Sequence, residues 1–100
     1  MLVERNWFIV KNAQSEELFK IIGKNIKYYR LLYNLEKGKM TQEMLAELTD
    51  VSISLIANLE SDNIAQGISV FTLWKISKAL EISVKNLFNG IDKDNYSLRT

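Results

Sequence analysis

The chain has no cysteine, no histidine and no proline among its 100 residues. Without thiols there is no disulfide framework and no thiolate chemistry. Without imidazole the usual general base near neutral pH is missing, and only carboxylates remain as side-chain metal ligands. Glycine is confined to positions 23, 38, 67 and 90, so no Gly/Ser linker, low-complexity stretch or long-period repeat divides the chain. No apolar run approaches the roughly eighteen residues that span a membrane. The opening MLVERNWFIVKN carries Glu4 and Arg5 and offers no signal-peptide core. No Gly-rich phosphate loop occurs, and Glu43 and Glu47 read as a solvated i,i+4 pair rather than a catalytic one. No metal-ligand cluster, cofactor site or small-molecule site is evident. These absences favour a cytoplasmic binding protein over an enzyme.

What is present is an ordinary globular composition, 47% hydrophobic and 25% charged, on a length that admits one domain with short tails. Residues 1–14 read as an N-terminal arm, in which Trp7-Phe8-Ile9-Val10 is a short strand or apolar segment that packs on its own domain, joins a second copy or stays disordered. Ser15 with Glu16 and Glu17 marks a helix start. Leu18, Ile22, Ile26, Tyr29 and Tyr33 then repeat on one helical face, with Lys20, Lys24, Lys27 and Arg30 on another. Gly23 reads as a local weakening where an N-terminal extension meets the main helix, which ends between Asn34 and Gly38. Thr41, Ser52, Ser69 and Ser83 each precede a short amphipathic segment where an N-cap belongs. The expectation is an all-α domain of five helices over residues 15–89, followed by a polar tail at 90–100.

The segment TQEMLAELTDVSISLIANLE, residues 41–60, is the most informative. Only Thr49-Asp50-Val51-Ser52 separates two helices of similar length, so they cross steeply, with Ala46 at the close approach and Leu45, Val51, Ile56 and Leu59 around it. This spacing resembles the helix-turn-helix of the phage-repressor/Cro-like (XRE) family of DNA-binding proteins. SVFTLWKISKALEISVKNLF, residues 69–88, is similar to that family's fourth and fifth helices, and IGKNIKYYR, residues 22–30, to its first. The resemblance implies a five-helix lambda-repressor-like fold, and a salt bridge between Arg30 and Glu60 tying helix 1 to the end of helix 3. Three departures stand out. Asp50 occupies a turn-glycine position and must adopt positive φ or reshape the turn. Glu81 replaces a helix-ending glycine. The connection at residues 35–40 is longer than usual, as is that at 62–67.

The family's second motif helix lies in the major groove while the first abuts the backbone. Carried over, Thr41 and Gln42 face phosphates, and Ser52, Ile53, Ser54, Leu55 and Asn58 face bases or flanking phosphates. An Asn58 amide pairs with adenine, and Ile53 and Leu55 either touch thymine methyls or pack inward. Residues 40–69 hold five acids and no base, a charge of −5. Residues 11–39 hold seven bases against three acids, +4, and residues 70–100 five against three, +2. Lys24, Lys27, Lys37 and Lys39 are the flanking phosphate candidates, and the acidic reading head implies a shallow salt dependence. Phe71 and Trp74, with Ile82 and Val84, suggest an apolar homodimer interface, unless the N-terminal segment covers the first two. The implied function is a sequence-specific transcriptional regulator, repressor-type, binding double-stranded DNA as a homodimer. The alternative is a protein-interaction module, antitoxin-like or a regulatory partner, that keeps the fold with weak DNA affinity.

Overall fold

The computed structural model describes residues 15–91. In chain order they form α1 (Ser15–Glu36), α2 (Gln42–Thr49), α3 (Ile53–Glu60), α4 (Val70–Ala79) and a 3-10 helix (Val84–Phe88). Among the described residues there is no strand, and the class is all-α. The fifth helix is a 3-10 turn rather than an α-helix. It is five residues long, closes with an i to i+3 bond from Asn86 N–H to Ser83 C=O at 2.9 Å, and lacks the side-chain cap expected of Ser83. The expected arm at residues 1–14 lies outside the described residues, as does the tail from residue 92 onward.

Hydroxyl caps start the three short α-helices. Thr41, Ser52 and Ser69 each sit in extended backbone and accept from the N–H three residues on, at Met44, Leu55 and Thr72 respectively. Each helix turns one apolar face inward. Ile22 and Ile26 of α1 meet Leu45 and Ala46 of α2, Ile56 and Leu59 of α3, and Leu73 and Ile76 of α4 in one buried core, closed by Leu80 and Leu87. The 3-10 helix is held to α1 by Asn25, whose amide donates to the Leu87 and Asn89 carbonyls at 2.8 and 2.9 Å.

α1 runs unbroken through Gly23 for 22 residues, so the glycine marks no junction within it. A Cβ there would overlap the Leu59 carbonyl oxygen and lie 2.8 Å from its carbon. Glycine is therefore the residue that lets the backbones of α1 and α3 meet. α1 ends at Glu36, within the expected Asn34–Gly38 span, and in the connection that follows Met40 is buried rather than looped out. Asn34 grips the Met40 backbone from both sides, its amide donating to the carbonyl at 2.9 Å while its oxygen accepts from the N–H.

One ion pair binds these parts together. Arg30 donates to both carboxylate oxygens of Glu60, Nε to Oε2 at 2.7 Å and an Nη to Oε1 at 2.8 Å. Its remaining terminal nitrogen donates to the Met40 carbonyl at 3.0 Å, and Gln42 Nε2 donates to Glu60 Oε1 at 3.0 Å. Both charged residues are buried, and every buried side-chain polar atom among the described residues has a hydrogen-bond partner. The bond to Glu60 raises the Arg30 pKa above its ordinary value, against burial, which acts the other way.

Two substitutions probe this packing. Glu60→Ala strands a buried guanidinium and should cost about 3–5 kcal/mol, visible as a large fall in melting temperature. A melting curve like that of wild type would remove the pair from the account. Gly23→Ala should destabilise by about 3 kcal/mol in urea denaturation, because the clash is with backbone and cannot be relieved by a rotamer change. A loss below about 0.5 kcal/mol, the size of an ordinary surface substitution, would show that α1 and α3 do not meet there.

Candidate nucleic-acid interface

The turn between α2 and α3 is built by Asp50. It takes the left-handed conformation at φ 55° and ψ 47°, the positive-φ solution rather than a reshaped turn. Its N–H donates to Glu47 C=O at 3.3 Å and the next N–H, of Val51, to Ala46 C=O at 3.0 Å, the pairing of a Schellman helix end. Thr49 secures the last turn from inside, its buried hydroxyl donating to Leu45 C=O at 2.7 Å. Ser52 then caps α3 at once, so only residues 50–52 lie between the two helices. Glu81 follows the same logic after α4, at φ 58°, with Ile82 N–H reaching Ser77 C=O at 3.0 Å. Asp and Glu replace glycine at both places and accept a modest conformational cost.

The first turn of α3 faces solvent. Ser52, Ser54 and Ile53, the last half exposed, form its outer surface, whereas Leu55 packs against the core. Ile53 and Leu55 therefore do not share a role: only Ile53 has the exposure for apolar contact with a partner. Asn58 lies one turn further on, half-buried, with its Nδ2 donating to Gln66 Oε1 at 3.2 Å. At the start of α2, the Thr41 hydroxyl accepts from Met44 N–H at 3.0 Å and keeps its own proton for another acceptor. Glu60 takes one N–H of the Gln42 amide, which leaves the second N–H of that amide and the main-chain N–H at the helix N-terminus for a phosphate.

The electrostatics are sharper than the sequence total. Burying Glu60 against Arg30 removes one acid from the motif and one base from its flank. Glu43, Glu47, Asp50 and Asp62 remain exposed. Among the flanking bases, Lys24, Lys27 and Lys39 are exposed, while Lys37 is paired with Glu81 at 3.1 Å and lies over the Tyr33 ring. Lys24 and Lys20, one turn apart on α1, line a cleft of about 270 Å³ with Ser61 and Asp62, just beyond the end of α3. Lys20 stands beside Lys24 there, as their shared helical face implied, and Glu17 lines the same cleft.

The apolar residues considered for dimerisation divide similarly. Phe71 and Trp74 are exposed on α4 and stacked with ring centroids 6.3 Å apart, with Lys75 and Lys78 over their faces. Val84 is at the exposed margin, but Ile82 is half-buried and packs against the core. The N-terminal segment that competes for this patch lies outside the described residues.

Two short capped helices joined by a three-residue turn, with the second helix exposing its first turn and buttressed by a buried ion pair, define a helix-turn-helix domain. The helix-turn-helix family model matches residues 26–87, so the chain belongs to that family, the Cro/repressor-like (XRE) class of DNA-binding transcription regulators. Neither a curated protein nor a solved structure gave a match. Among the described residues no helix is long and apolar enough to cross a membrane.

The left-handed turn residue offers a direct check. Asp50 is exposed and makes no packing contribution that a larger side chain would replace. Asp50→Val should destabilise the domain by about 1–3 kcal/mol, since a β-branched residue is strained at this φ, and Asp50→Gly should not. Equal melting temperatures for all three proteins would contradict the left-handed turn.

Proposed function

We propose that the protein is a sequence-specific, repressor-type regulator that binds operator DNA in the cytoplasm as a homodimer, with α3 in the major groove. The carrying observation is the first turn of α3. Ser52, Ile53 and Ser54 stand exposed directly after a tight turn, while the inner face of the same helix is fixed against α1. A helix held this rigidly can present base-reading groups without reorganisation. Ser52 and Ser54 donate or accept with little selectivity, Ile53 suits a thymine methyl, and Asn58 suits adenine, so an A·T-leaning half-site follows. Thr41 and the N-terminal amides of α2 suit a phosphate.

A single copy of this surface makes few contacts, and two-fold pairing on a palindrome multiplies them. The exposed Phe71–Trp74 pair on α4, with Val84 at its edge, supports a dimer through that face. With Lys37 paired and Arg30 buried, Lys20, Lys24, Lys27 and Lys39 are the cations of the N-terminal flank that can meet phosphates. A second reading, a protein-interaction module, draws support from α2, where exposed Glu43 and Glu47 flank exposed Met44 and Leu48.

Selection from random duplexes at low salt distinguishes the two. The regulator should enrich a palindromic, A·T-leaning site, whereas enrichment of nothing would favour the interaction module. On the selected site, log affinity against log salt should fall more gently than the slope of about −7 that roughly eight phosphate contacts produce. A slope that steep would contradict the electrostatic picture.

A further inference from the structure

The loop between α3 and α4 approaches the reading helix through a pair of side-chain amides. Gln66 lies half-buried beside Asn58, and its two ends are occupied by different partners. Gln66 Nε2 donates to the Gly67 carbonyl at 3.1 Å, and Gln66 Oε1 accepts from Asn58 Nδ2 at 3.2 Å. The order of these atoms follows from chemistry. A main-chain carbonyl can only accept, so the nitrogen end of Gln66 must face it. That leaves the Gln66 oxygen toward Asn58, which in turn brings the Asn58 nitrogen toward the loop.

The consequence lies on the exposed side of Asn58. An asparagine amide has two N–H donors on nitrogen and two lone pairs on oxygen. One donor is taken by Gln66. With Gln66 on the N–H that points away from the amide oxygen, the second donor and the oxygen are side by side, which is the donor–acceptor pattern that adenine N7 and N6–H meet in the major groove. An unrestrained amide would turn freely and would lose rotamer freedom on reading a base.

We infer that Gln66, which itself need touch no base, is a positioning residue for base recognition: it sets the orientation of the Asn58 amide and so its preference for adenine. This rests on the DNA-reading role proposed above for Asn58. It extends the recognition element beyond α3 into a loop whose residues carry no helical signature. It also assigns a purpose to a polar contact that neither the core nor the helix caps require.

The test separates orientation from bulk and from charge. Gln66→Met keeps a side chain of similar length but no acceptor, while Gln66→Glu keeps an acceptor toward Asn58. Duplex selection should show the adenine preference at the Asn58 position falling roughly fivefold to tenfold in Gln66→Met. In Gln66→Glu it should persist, even if the added charge lowers affinity for all sites together. In the DNA-free protein, the Asn58 side-chain NH2 resonances should shift and exchange faster in Gln66→Met than in wild type. Unchanged Asn58 resonances, or an adenine preference that survives Gln66→Met, would overturn the positioning role while leaving the regulator intact. A wild-type protein that selects no sequence would overturn the regulator itself, and the inference with it.

Discussion

The bidentate bond between Arg30 and Glu60 is the constraint on which the rest of the domain depends. A guanidinium is planar and meets a carboxylate squarely in a narrow range of geometries. Here that plane also takes in the Met40 carbonyl and, through Glu60, the Gln42 amide. One cluster thus links the long first helix, the strap before α2, the start of α2 and the end of α3. Desolvation offsets much of the Coulombic gain in a buried pair, so its main contribution is direction rather than net free energy. Helix packing by aliphatic side chains alone tolerates rotation and sliding; a buried fork of this kind does not.

The same cluster changes the meaning of the protein's charge. A formal total of +1 is a cancellation between an acidic motif and two basic flanks. Once Arg30 and Glu60 neutralise each other internally and Lys37 pairs with Glu81, the surface around the helix-turn-helix is acidic on α2 and basic mainly along α1. A regulator with this distribution gains little from non-specific attraction to the phosphate backbone. On the reading of α3 proposed above, its discrimination comes from fit at that helix, which is held from behind by the Arg30–Glu60 pair and the contact at Gly23.

Much of the fold was legible because its signals are local. Ser or Thr before an apolar period identifies each short helix, and the hydroxyls of Thr41, Ser52 and Ser69 cap their helices directly. Asp50 and Glu81 stood out only through the family resemblance, as residues at glycine positions; both are left-handed, and for Asp50 that settles between a positive φ and a reshaped turn. What could not be read is tertiary in origin. Gly23 looks like a weak point in a helix until α3 is laid across it. Gln42 has the position of a phosphate ligand, yet one N–H of its amide is claimed by a residue eighteen positions away. Asn34 with Met40 and Asn58 with Gln66 are partnerships between a helix and a loop, and no periodicity announces them. Leu55 and Ile53 are neighbours in an exposed-looking run, and only the position of the core separates their roles.

The contact at Gly23 has an implication for how such a protein diversifies. Because α1 meets the main chain of Leu59 at Gly23, and the α3 side chains that complete this support, Ile56, Leu59 and Glu60, are all buried, the support beneath α3 is indifferent to what that helix carries on its far side. Its solvent-facing letters are therefore interchangeable within an unchanged frame. On the reading of α3 proposed above, new operators become accessible by rewriting a few outward positions, with no compensating repair in the interior. A domain this small can in that way supply a lineage of regulators that differ in address and share one chassis.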